Sequence, residues 1–139
     1  MDKKGANALL KKVPLFSRLS EKALSSIVKV TIEKEFKAGT KIVSEGDTGT
    51  GFYLIISGST EVSRSGARIA KLGAGEFFGE MALLDGAPRS ADVTALEDTK
   101  CLILTLWVLK GIIAANPNVA LGMLEELARR LREAEQSRG

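Results

Sequence analysis

The spacing of hydrophobic residues changes twice along this chain and divides it into three parts. In residues 1–30 apolar side chains recur at helical intervals, with Ser20 suited to begin a helix and Pro14 to break one. In residues 31–106 the apolar runs are short, β-branched or aromatic, and separated by turn residues. Helical spacing returns in residues 107–137. We therefore expect N-terminal helices, a strand-rich middle and two C-terminal helices.

Seven strands are predicted from the middle part. They lie at 31–36, 40–43, 52–56, 60–63, 67–72, 91–96 and 100–105. Intervals of roughly 8–12 residues, with glycine-containing turns between the strands, are typical of an antiparallel sandwich or roll. The length suits a single domain over residues 1–139.

The last helix, predicted from about Asn118 to Gln136, carries a heptad pattern. Its apolar residues are spaced four, three, four and three apart, and we call them the heptad face: Ala120, Leu124, Leu127, Leu131 and Ala134. This run is shorter than the three or four heptads that identify a coiled coil. A helix packed on its own domain and a dimer seam both fit it.

Composition narrows the classes of function. The 139 residues are 45% hydrophobic and 27% charged, and no apolar run approaches the ~20 residues of a membrane span. A net charge of +3 with 5% aromatic residues argues against direct nucleic-acid binding. The single cysteine, Cys101, lies in an apolar run, so we expect it in the core and the protein in the cytoplasm.

The chain contains no histidine. Zinc and iron sites on small β-rolls usually need imidazole ligands, and hydrolytic triads usually need an imidazole base. We therefore expect no catalytic residue, no metal and no cofactor. A cupin-like enzyme on a similar roll is a rival interpretation, which metal analysis of the purified protein would decide.

Residues 73–86 depart from the strand pattern. Glycines begin this segment, good helix formers follow, and Gly86 suits the position after a helix. A short helix inserted here, with its first amides around 79–82, would attract an anion through backbone N–H groups without a partner in the helix.

Arg89 and Glu80 supply the side chains for such a ligand. Arg89 follows Pro88 and can grip a phosphate with two hydrogen bonds. Glu80 is a strong acceptor for a neighbouring hydroxyl, so the pair fits a ribose phosphate. A solvated arginine, or an ion pair between Glu80 and Arg89, is the alternative.

Two ordered strings of residues carry a resemblance to a known family. One is Phe78-Gly79-Glu80-Met81-Ala82-Leu83-Leu84, followed after three residues by Pro88-Arg89-Ser90-Ala91. The other is Glu45-Gly46-Asp47-Thr48-Gly49, then Phe52-Tyr53-Leu54-Ile55 and Gly58. Together they resemble the phosphate-binding cassette and the turn and strand signature of the cyclic nucleotide-binding domain family. The resemblance covers about residues 13–132 and looks closest to the sensor half of bacterial catabolite-activator-type regulators.

The resemblance implies a mainly β fold, an antiparallel eight-stranded β-roll of jelly-roll type with flanking helices. It implies that Arg89 binds the exocyclic phosphate oxygens and that Glu80 accepts a hydrogen bond from the ribose 2′-hydroxyl. Backbone amides of the cassette complete the cradle, and apolar residues line the base. The ligand-binding residues expected on this basis are Val62, Ile69, Leu72, Phe78, Gly79, Glu80, Met81, Ala82, Arg89, Ser90 and Ala91.

The resemblance favours cAMP as the ligand, although Ser90 is also compatible with cGMP. Where the activator has two hydroxyl residues against adenine, this chain has Ala134 and Glu135. We expect a non-enzymatic sensor in which ligand binding moves the C-terminal helix and so changes a homodimer or an output domain. The alternatives are a ligand-independent interaction or dimerisation roll, and a cGMP or cyclic dinucleotide sensor.

Those regulators continue from the long helix into a helix-turn-helix, whereas this chain stops at Gly139. The expectation is therefore a free-standing sensor or a piece of a larger regulator, channel or enzyme. In either case we expect no nucleic-acid or membrane contact from this chain itself.

Overall fold

Helices precede and follow the strands along the chain in the computed structural model, which describes residues 3–49 and 51–138. In chain order the elements are α1 (Lys3–Lys11), a 3₁₀ turn (Pro14–Phe16), α2 (Glu21–Val30), β1 (Ile32–Phe36), β2 (Lys41–Val43), β3 (Gly51–Ser57), β4 (Ser59–Arg64), β5 (Ala67–Gly73), β6 (Phe77–Phe78), α3 (Ala82–Asp85), β7 (Asp92–Ala95), β8 (Thr99–Thr105), α4 (Leu106–Ala115) and α5 (Asn118–Arg138). The predicted domain 1–139 includes residues 1, 2, 50 and 139, which lie outside the described residues. Thr31–Leu106 form one compact unit, the β unit, and the flanking helices form a second, the helical unit.

The β unit consists of two four-stranded sheets. Their strand orders are β1-β8-β3-β6 and β2-β7-β4-β5, and the paired strands are antiparallel. The prediction of an eight-stranded, jelly-roll-like β-roll with flanking helices is confirmed. Phe36, Ile55, Ala95 and Cys101 form a buried cluster in this unit. Burial raises the pKa of the Cys101 thiol to about 11, as expected for a cysteine in the core.

One strand differs from the sequence prediction. Phe77 and Phe78, within the segment read as departing from the strand pattern, form the two-residue strand β6. They pair with Leu54 and Tyr53 of β3. A two-residue strand has no alternation of its own, so this pairing depends on contacts made in the folded chain.

The inserted helix is present but begins later than predicted. α3 is one turn, Ala82–Asp85, whereas its first amides were expected around 79–82. Gly86 ends it in the left-handed conformation, with φ of 66°, and donates its N–H to the carbonyl of Ala82. This is the glycine ending that the sequence predicted.

The helical unit confirms the predicted start of α2. The Ser20 hydroxyl accepts a hydrogen bond from the Ala23 N–H at 3.1 Å and so caps the helix. On α5 the buried residues include Val119, Met123 and Glu126, which lie on a different face from the heptad face. No single helix in the described ranges is long and apolar enough to span a membrane; α4 and α5 pass that test only as a pair, bent by 116°.

The heptad face of α5 is largely uncovered. The exposed fraction is 60% for Leu124 and 63% for Leu131, whereas Leu127 is half-buried. Of the two interpretations of the heptad pattern, packing on the same domain therefore does not account for these two leucines.

Candidate functional site

A cavity of about 380 Å³ opens in the β unit at the predicted cassette. Its lining residues are Val43, Val62, Phe77, Phe78, Gly79, Glu80, Met81, Ala82, Asp85, Ala87, Pro88, Arg89, Ser90, Ala91 and Val93. They include all but two of the predicted ligand-binding residues. Ile69 is 51% exposed on β5, and Leu72 packs against the core cluster. The structure does not bring these two residues into the lining of the cavity.

Hydrogen bonds of the main chain fix Arg89 just before β7. Its N–H donates to the carbonyl of Asp47, and its carbonyl accepts from the N–H of Gly46, both at 2.8 Å. Two backbone hydrogen bonds therefore join Arg89 to the turn after β2. Such a bonded backbone limits the positions from which the side chain can reach the cavity.

The guanidinium of Arg89 points back to β3. Its Nη2 donates to the carbonyl of Gly51 at 2.8 Å, and its central carbon lies 5.9 Å from the centroid of the Tyr53 ring. In the described part of the chain it forms no ion pair with a carboxylate, so the alternative pair between Glu80 and Arg89 is not found. A guanidinium has five N–H donors, so the bond from Nη2 to Gly51 leaves donors for other acceptors.

Glu80 brings a carboxylate into the same cavity from the turn between β6 and α3. Only 9% of the residue is exposed. A carboxylate accepts hydrogen bonds strongly, and burial strengthens each bond it makes. Glu80 and Arg89 therefore offer the cavity a buried acceptor and a guanidinium donor.

Gly79, which precedes this acid, occupies a position that only glycine fits. Its φ is +84°, in the left-handed region that other residues rarely adopt. A Cβ here would overlap the Gly51 carbonyl oxygen and lie 2.7 Å from Nη1 of Arg89. The missing side chain thus lets the cassette approach the guanidinium closely.

A second set of bonds fastens the turn after β2. Asp92 accepts from the Glu45 N–H at 2.7 Å and lies 3.3 Å from the Lys41 ammonium. The backbone hydrogen bond and the nearby lysine lower the pKa of the Asp92 carboxyl below its ordinary value. Arg64 donates to the Ser90 carbonyl at 2.9 Å. Two residues that follow Arg89, Ser90 and Asp92, are therefore tied to adjacent segments.

Several lining residues were missed by the sequence prediction. Val43 and Val93 face each other across β2 and β7, and this register is visible only in the folded sheet. Ala87 and Pro88 also line the cavity, and they could have been predicted because they lie beside or within the motif. Tyr53 was quoted only as part of a strand signature, yet it lies under the guanidinium.

Comparisons with known proteins found a matching family model and similar sequences. Residues 33–116 match a family model described as "Cyclic nucleotide-binding domain". The chain is 37% identical over 131 residues to the cyclic AMP receptor protein of Thermus thermophilus, covering 91% of this chain and 61% of that protein. It is 42% identical over 104 residues to a cGMP-dependent protein kinase of Toxoplasma gondii, covering 75% of this chain and 10% of that one. It therefore spans less than two thirds of either relative.

A solved structure shares the fold over nearly its whole length. The N-terminal domain of a transcriptional regulator from Streptomyces coelicolor A3(2) superposes with a TM-score of 0.87 at 30% identity. The match covers 92% of this chain and 95% of that one.

Proposed function

This chain belongs to the cyclic nucleotide-binding domain family, and from that premise we propose that it is a sensor that binds cAMP in the cavity of the β unit. The observation that carries the proposal is the position of Arg89. Arg89 lines the cavity together with the buried Glu80, and in the described ranges its guanidinium forms no ion pair with a carboxylate. A cationic group held in this way lacks an anion that a ligand phosphate would supply.

Each part of the ligand has a candidate partner. Arg89 binds the exocyclic phosphate oxygens, a charge-assisted contact that contributes about 1.5–3 kcal/mol. Glu80 accepts a hydrogen bond from the ribose 2′-hydroxyl, and the amides of Gly79, Ala82 and Ser90 donate to the sugar phosphate. Val62, Met81 and Ala91 are apolar lining residues that can pack against the base.

The preference for cAMP over cGMP rests on similarity. The longer match is to a protein named for cyclic AMP. Because another relative is named for cGMP, cGMP is the second candidate ligand. The roles of Ile69 and Leu72 beside the base require β5 to close on the ligand, because neither lines the cavity in this structure.

We further propose that the domain is a regulator rather than an enzyme and that binding is transmitted through α5. Its exposed Leu124 and Leu131 support a homodimer through the heptad face, and an output domain is the second candidate. Binding can shift such an arrangement only if cAMP prefers one state; a change from 1:99 to 99:1 requires about 10⁴-fold preference.

Calorimetric titration with four ligands tests this function. We expect cAMP to bind more tightly than cGMP, and we expect cyclic di-GMP and 5′-AMP to give no saturable heat. A thermal shift is the second readout, since ligand at 100 times its Kd stabilises a fold by about 2.7 kcal/mol. Tighter binding of cyclic di-GMP, or no binding of any cyclic nucleotide, would refute the proposal.

A further inference from the structure

The guanidinium of Arg89 rests on two neighbouring groups of β3. One is the carbonyl of Gly51, which accepts a hydrogen bond from Nη2 at 2.8 Å. The other is the ring of Tyr53, whose centroid lies 5.9 Å from the central guanidinium carbon. Gly51 and Tyr53 are two residues apart, so a short stretch of one strand supplies both contacts to the arginine.

The ring of Tyr53 is held in a fixed orientation. It stacks on Phe78 with 4.8 Å between the ring centroids and 6° between the ring planes, and Phe36 packs at 6.3 Å. It also folds over Gly51, where a Cβ would come within 3.1 Å of the ring. Because Gly51 has no side chain, the Tyr53 ring can lie close to the backbone whose carbonyl binds Arg89.

Tyr53 does not line the cavity proposed for cAMP. Phe78 and Arg89 line that cavity, whereas Tyr53 lines a second one, of about 340 Å³, which also includes Arg89. Any influence of the tyrosine on a phosphate therefore passes through the arginine or through Phe78. A cation over an aromatic face is attracted by the ring quadrupole, and the attraction grows when the pair is partly desolvated.

We propose that Tyr53 is a positioning residue for Arg89, whose guanidinium it holds, together with the Gly51 carbonyl, in the place where the cyclic phosphate binds. The inference rests on the proposed cyclic nucleotide site and adds a residue behind it. Holding the guanidinium in advance lowers the entropy cost of ordering a long side chain on binding.

Titration with cAMP tests the effect on affinity. Tyr53→Leu removes the aromatic face and is expected to weaken binding about 3- to 30-fold, whereas Tyr53→Phe keeps the face and stays within about twofold. Phe16→Leu, in the helical unit, is the control for a general loss of stability. If the tyrosine acts through the arginine, Tyr53→Leu should have little further effect in an Arg89→Lys background. Equal affinity of wild type and Tyr53→Leu, or the same loss in both backgrounds, would overturn the inference.

A second readout needs no ligand, because Tyr53 is the only tyrosine of the chain. Burial raises the pKa of its hydroxyl and the positive charge of Arg89 opposes that rise. Absorbance titration of the tyrosinate should therefore give a higher pKa in Arg89→Ala than in wild type. An unchanged pKa would overturn the placement of the guanidinium on the ring even if cAMP binds. If wild type binds no cyclic nucleotide, the proposed function fails, and this titration alone decides whether the arginine rests on the ring.

Discussion

At the scale of single residues, the buried carboxylate of Glu80 has the role that is easiest to separate from the rest of the site. If it accepts a hydrogen bond from the ribose 2′-hydroxyl, Glu80→Gln should weaken cAMP binding about tenfold, since hydrogen bonds to charged groups contribute about 1.5–3 kcal/mol and the amide retains part of the contact. The matched ligand is 2′-deoxy-cAMP, titrated against both proteins. Wild type should prefer cAMP strongly and Glu80→Gln only weakly; equal preference in both proteins would exclude this role.

Gly79 allows a second test at the same scale, with a matched glycine elsewhere. Gly66 has nearly the same backbone conformation, φ of +81° against +84°, but a Cβ there would meet nothing within 4 Å. Gly66→Ala should cost about 1–2 kcal/mol of unfolding free energy through the backbone alone. Gly79→Ala should cost about 1–3 kcal/mol more, because its Cβ would overlap the Gly51 carbonyl.

Denaturant unfolding and cAMP titration of both glycine variants provide the comparison. Only Gly79→Ala is expected to lower the affinity for cAMP, because it also displaces Arg89. The same loss of stability and of affinity in both variants would argue that the close approach at Gly79 is unimportant.

At the scale of elements, a buried acid fastens α5 within the helical unit. Glu126 is 3% exposed and accepts hydrogen bonds from Arg129 and Arg130, the shortest at 2.6 Å. Arg18, before α2, lies 3.6 Å away. The hydrogen bond from Arg129, then that from Arg130, and then the charges of both lower the pKa of Glu126 to about 2.

This lowered pKa predicts a dependence of stability on pH. A carboxyl whose pKa is lower in the folded state stabilises the fold fully above its unfolded pKa, near 4.5, and loses that contribution as the pH falls toward about 2. Glu126→Gln should therefore cost about 1–3 kcal/mol at pH 7 and progressively less below pH 4.5. Glu133→Gln, at the exposed end of the same network, is the control. Parallel curves for wild type and Glu126→Gln from pH 7 to pH 2.5 would contradict the assignment.

The helices and strands also show how much of the fold could be predicted from the sequence. Strand and helix positions followed from local periodicity, because β-branched runs, glycine turns and the Ser20 cap act over a few residues. β6 could not be predicted in this way, since Phe77 and Phe78 become a strand only by pairing with β3. Arg89 and Glu80 belong to one local motif of the sequence, whereas Val43 and Val93 join the cavity through the register of β2 and β7.

At the scale of the whole molecule, the heptad face predicts association of two chains. Leu124→Glu and Leu131→Glu place charges on the exposed part of this face, whereas Leu121→Glu makes the same change at an exposed leucine, 55% exposed, beside it. Sedimentation velocity should find a dimer for wild type and for Leu121→Glu, and monomers for the two variants on the face. If wild type is monomeric both with and without cAMP, the proposed homodimer is wrong. Ligand binding would then be transmitted from α5 to an output domain instead.

If Arg89 holds the cyclic phosphate, its loss should weaken cAMP binding, and calorimetric titration of cAMP into wild type, Arg89→Ala and Arg68→Ala measures this. Arg68 is a matched arginine of the same unit, outside the cavity lining and 3.2 Å from Glu61. We expect saturable binding by wild type and Arg68→Ala and at least a tenfold loss of affinity in Arg89→Ala, from a contact of about 1.5–3 kcal/mol. Equal heats and affinities for wild type and Arg89→Ala would contradict it.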